Sequence, residues 1–134
     1  MALSTFLRNA QLDHWRGVTY PAPPASLYLA LFSGDPLRAG TGGTEITTSV
    51  RTAGRVAIAS SGWDPIAASG DALFIANTAS IAFGNAVSSA TVTHVGVFDA
   101  STGGNYYGGA TSPFTATSGA PVTIAAGALV IQLD

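Results

Sequence analysis

The stretch from Thr91 to Gly108 constrains the fold more than any other. Successive side chains of an extended strand point to opposite sides, so Val92, His94, Gly96 and Phe98 fall on one face. Thr93, Val95, Val97 and Asp99 fall on the other. Ser101 to Asn105 then supplies residues that tolerate positive φ, as a hairpin loop of four or five residues requires, and Tyr106 to Ala110 reads as the returning strand. Because both faces carry bulk, this strand belongs in the middle of a sheet.

The rest of the chain repeats that grammar after a single helix. Leu3, Phe6, Leu7, Ala10 and His14 recur at helical spacing between residues 3 and 15, with Ser4 placed to cap the N-terminus and Gly17 to end the helix. Pro21, Pro23 and Pro24 hold the next segment extended. Ser26 to Phe32 is apolar on both faces and reads as a buried strand. Further expected strands are a polar one over Glu45 to Val50, then Arg55 to Ala59, Leu73 to Ala76, Ile81 to Phe83, Val122 to Ala125 and Ala128 to Gln132; residues 66–72 read as loop. The sum is a mainly β chain, an antiparallel β-sandwich or jelly-roll-like fold of about eight strands with one short N-terminal helix. Its 134 residues suit one domain, 1–134, in which residues 1–16 form a candidate docking element.

Charge is scarce. Only 9% of residues are charged against 47% apolar; lysine is absent and Glu45 is the sole glutamate. A free monomer normally carries a mixed charged surface, so this composition implies that neighbouring subunits cover much of it. A net charge of −2 with five scattered arginines leaves no footprint for nucleic acid. No apolar run approaches the ~20 residues of a membrane-spanning helix. The N-terminus lacks the basic segment and apolar core of a signal peptide, so a protein soluble when made and not exported is expected. Without cysteine there are no disulfides and no thiolate metal sites.

Reactive chemistry finds little to work with. His14 and His94 are eighty positions apart, and no ligand spacing joins them to Asp99, so each reads as a hydrogen-bonded, half-buried histidine rather than a metal ligand. Ser60-Ser61-Gly62 lacks the leading glycine of a nucleophile elbow, and a chain without lysine has neither the usual P-loop nor a Schiff base. Asp35, Asp64, Asp71 and Asp99 sit in or beside turns, where a short carboxylate caps the backbone. No enzyme, metal or cofactor is therefore expected. The candidate interface residues are Phe6 and Leu7 on the helix, Trp15 at its end, Trp63 in a loop, and Tyr106 and Tyr107 beside the glycine pairs, since large amphipathic rings dominate contact energies.

Several ordered blocks carry a resemblance. They are Met1 to Ser4 with the helix, Pro23 to Phe32, Gly42 to Ile46, Val92 to Asn105, and Ala125 to Asp134. On these blocks the chain resembles a family of small tailed-bacteriophage virion proteins usually labelled phage tail fibre proteins; the likeness runs nearly end to end and is weakest over residues 66–79. It implies a non-enzymatic virion protein whose partners are other virion proteins, of the tail or, as similar small β-sandwiches that decorate or cement heads would have it, the major capsid protein. By analogy with decoration and fibre proteins it also implies a homo-oligomer, a trimer, with a host surface receptor or glycan as a further candidate partner. The matching blocks look structural, with glycines for turns and alternating apolar positions for strands, so the resemblance transfers no catalytic residue.

Overall fold

The computed structural model describes residues 2–133. In chain order it runs β1 (Ala2–Leu3), α1 (Thr5–Trp15), β2 (Ser26–Ser33), β3 (Thr44–Glu45), β4 (Val56–Ala59), β5 (Ala67–Ser69), β6 (Ala72–Ala76), β7 (Ile81–Asn85), β8 (Ala90–Phe98), β9 (Tyr106–Ala116), β10 (Pro121–Ile124) and β11 (Val130–Leu133). Every pairing between these strands is antiparallel. Among the described residues the fold is mainly β with one α-helix, besides a single 3-10 turn at Ser60–Gly62, as the turn-punctuated sequence leads one to expect.

The hairpin of β8 and β9 lies inside the largest sheet, ordered β1-β9-β8-β2-β3 with β4 also on β2. Leu29 pairs with Val97 and Leu31 with Val95, which puts four apolar side chains on one face. That face packs against Ile81 and Phe83 of β7 and Val122 of β10, with Val50, Ala86 and Leu129 filling from loops. The large sheet and the two-stranded sheet of β10 and β7 meet through their apolar faces, beside a third sheet ordered β11-β6-β5, and each Leu, Ile, Val or Phe fully buried between them contributes about 1.5–3 kcal/mol. The opposite face of β2 and β8 has a smaller cluster of its own, Ala30, Phe32, Phe98 and Tyr106.

Four local features depart from the strand pattern read in the sequence. The β8–β9 register shifts between Val92 and His94, where β9 spends three steps, Thr111 to Phe114, against two on β8. Pro113, which has no N–H to give a ladder, occupies that bulge. Strict alternation breaks there, and Val92 joins Val95 and Val97 in the main core instead of sharing a face with His94 and Phe98. β9 itself continues to Ala116, past the expected end at Ala110.

The strand expected over Glu45 to Val50 stops at Glu45, apart from one further bond from Ile46 N to Leu31 O. β4 pairs with β2 over Ser26 to Leu29, so the edge along which β3 would continue is already taken. Residues 66–72, read as loop, hold β5 and a two-residue turn into β6, with Ser69 paired to Ala72 and Gly70 at φ +62°. A Gly-Asp pair is a hairpin signal, but the Ala67-Ala68-Ser69 strand before it has no β-branched or aromatic residue to mark it.

Candidate functional site

α1 with the segment after it and the second face of the large sheet both carry side chains that the main core does not absorb.

The helix is stitched to the sheet at its start. Ser4 is fully buried; its N–H donates to Tyr107 O at 3.1 Å, and its hydroxyl accepts from Leu7 N at 3.2 Å as an N-cap. Thr5 N donates to Arg38 O at 2.8 Å. At the other end Arg16 N and Gly17 N donate back to Asp13 O and His14 O, and Gly17 at φ +87° turns the chain away. Phe6, Leu7 and Ala10 face the body half-buried, with the Phe6 ring 5.6 Å from that of Tyr107. No residue of the helix is buried. Leu12 and Trp15 point the other way, 58% and 77% exposed, and with Arg8 they form a stripe at i, i+4, i+7. Val18 and Tyr20, in the segment after the helix, are also exposed, the Tyr20 ring edge-on to His14 at 6.1 Å.

On the second face, Gly96 pairs with Gly109, and the Tyr106 ring lies in the trough the two glycines leave. Burial pushes the Tyr106 hydroxyl up to about 12, with the Asp35 carboxylate adding to the shift. Burial also raises the Tyr107 hydroxyl, helped by Asp99 and Tyr20. Beside Tyr106, Arg55 is held by Glu45 at 2.7 and 2.9 Å, donates to Ala100 O and Gly103 O at 2.8 Å each, and lies 3.7 Å over the Phe98 ring. This guanidinium closes the β8–β9 loop onto the sheet. A shallow cleft of about 350 Å³, lined by Asp35, Arg38, His94, Tyr106, Gly109 and Thr111, opens on the other side of the tyrosine.

Of the four turn carboxylates, Asp35 and Asp99 cap the backbone as their positions imply, whereas the exposed Asp64 and Asp71 show no such bond among the described residues. Asp99 accepts from Asn105 N and Nδ2 at 2.7 and 2.8 Å, and Asp35 accepts from Leu37 N at 2.8 Å. His94 is half-buried with Nδ1 3.0 Å from Thr93 Oγ1. Among the described residues no three His, Asp or Glu side chains come together as a metal site would need.

Of the six candidate interface residues, Phe6 and Tyr107 pack against each other with their rings tilted by 45°, Leu7 is nearby on the same helix face, and Trp15 stands out in solvent. Tyr106 is buried in the second cluster. Trp63 is half-buried against the main core, its Nε1 enclosed without an acceptor among the described residues. Leu12, Val18, Tyr20 and the Arg55–Glu45 pair were not singled out from the sequence. The pair had a signal, since Glu45 is the sole glutamate in a charge-poor chain.

A family model described as podophage GP4 fiber I protein gp80 matches residues 2–132. The chain belongs to this family. As a podophage fibre protein it is a structural component of the virion, which agrees with the resemblance to phage tail fibre proteins. No curated protein matches the chain. Among the described residues of this fibre protein no helix is long and apolar enough to cross a membrane.

Proposed function

We propose that this podophage fibre protein is a non-enzymatic β-sandwich subunit assembled on the tail, as part of a fibre or its tip, and that it works as a homo-oligomer, a trimer, in contact with other virion proteins. The observation that carries the reading is the family match, which spans nearly the whole chain. Composition supports it: a chain with only 9% charged residues is suited to being covered by neighbouring subunits. So does α1, anchored at Ser4 and presenting Trp15 outward, the form of a docking element whose affinity is multiplied by repetition in a symmetric assembly. The β body needs nothing from the outer stripe of the helix, so Leu12 and Trp15 are free to serve a neighbour.

The test is to disrupt virions, separate tails from emptied heads, and probe both fractions for this chain. Recovery with the tails is the expected result. Recovery with the heads would replace this reading with capsid decoration. A glycan array on the isolated chain tests host attachment separately: selective binding would add a receptor role, whereas a purely structural subunit should show no sugar preference.

A further inference from the structure

A further exposed apolar patch lies on the β5–β6 hairpin, and its charge is opposite to that of the helix patch. Ile66 and Leu73 are 72% and 50% exposed. Ala68 pairs with Leu73, which puts these two on one side of the hairpin; Ile66 lies just before β5, and Asp71 lies in the turn two residues before Leu73. Asp64 and Asp71, both exposed, are the only charged residues between Arg55 and His94. The helix patch has Leu12 and Trp15 between Arg8 and Arg16. Arg16 spends part of its charge on Asp13 at 2.9 Å, which leaves the segment net positive. β5 is also the outer strand of its sheet, all three of its residues exposed, so among the described residues no strand pairs with the hairpin along that edge.

We propose that the outer stripe of α1 in one copy docks on the β5–β6 hairpin of the next copy, Trp15 and Leu12 against Ile66 and Leu73, with Arg8 and Arg16 facing Asp64 and Asp71. This rests on the reading of the chain as a repeated fibre subunit and specifies the contact that repeats it. The two surfaces differ, so the contact is heterologous: it closes into a ring when the rotation between copies allows and otherwise continues as a filament. The charges set register and suppress the helix-to-helix and hairpin-to-hairpin alternatives, each of which would bring like charges together.

A mixing experiment tests this without requiring either variant to assemble alone. Trp15→Ser spoils the helix patch and leaves the hairpin; Ile66→Ser with Leu73→Ser spoils the hairpin patch and leaves the helix. All three substitutions are at exposed positions. By sedimentation or light scattering the parent chain should form oligomers, each variant alone should fall to the mass of a single chain, and an equal mixture should give one-to-one dimers through the one intact pair of patches. A parent chain that stays monomeric, variants that assemble as the parent does, or a mixture that fails to pair would each overturn the contact. The tail assignment is read from virion fractions and would stand or fall independently.

Discussion

Removing the carboxylate of Glu45 should reveal how much of the fold's second face depends on one ion pair. The Arg55 side chain is 6% exposed and that of Glu45 24% exposed. In Glu45→Ala the guanidinium loses two charge-assisted hydrogen bonds, of 2.7 and 2.9 Å, and keeps only the carbonyls of Ala100 and Gly103 and the Phe98 face. Breaking a buried pair typically costs 3–5 kcal/mol, and water entering from the partly exposed Glu45 side offsets some of that, so the expected loss is about 3 kcal/mol. For a domain of this size that is roughly a 10 °C fall in Tm. Equilibrium urea unfolding followed by circular dichroism measures it directly. Glu45→Ala combined with Arg55→Met removes the stranded charge, and Gly103 is exposed enough for its carbonyl to take water, so the double variant should be more stable than the single one. A single-variant loss below about 1 kcal/mol, or a double variant no better than the single, would refute the view that the pair compensates a buried charge.

Other substitutions probe the remaining ties. Asn77 is buried, donates to Ala79 O and Ala125 O and accepts from Leu129 N, so Asn77→Ala should cost about 3 kcal/mol in the same urea assay by leaving those groups unpaired. Asn77→Asp should be no better, because a carboxylate cannot donate to the two carbonyls. A Cβ at Gly109 would meet the Tyr106 hydroxyl and, at 2.6 Å, Val95 O, which is backbone; Gly109→Ala should therefore lower stability by about 2 kcal/mol, read as a fall in Tm. Alkaline unfolding reports on Tyr106. Below pH 10 its hydroxyl is neutral in both folded and unfolded chains and contributes no pH dependence. As pH rises from 10 to about 12 only the unfolded chain ionises readily, so stability falls, by about 2 kcal/mol from this group, and Tyr106→Phe should flatten that slope.

The strands with bulk on both faces were legible because burial writes itself into composition: Ser26 to Phe32 and Thr91 to Phe98 could be placed inside a sheet from their alternation alone. The helix, its Ser4 cap and its Gly17 end followed from equally local rules. What escaped depends on partners distant in sequence. β3 is cut short because β4, eleven residues on, takes the same edge of β2. Val92 changes company because of a bulge made by Pro113 on another strand. The site was less legible than the fold. An inward helix stripe is easy to read, whereas the outward one, Arg8, Leu12 and Trp15, is recognisable only once the inward face is seen to rest on Tyr107. Arg55 looked like one of five scattered arginines until the fold brought Glu45, Phe98 and the 99–105 loop around it.

The central claim is a place on the virion, and electron microscopy of intact particles labelled with an antibody against this chain tests it most directly. Label concentrated at the tail, repeating around its axis, is the expected result. Label spread over the head, with bare tails, would contradict the account.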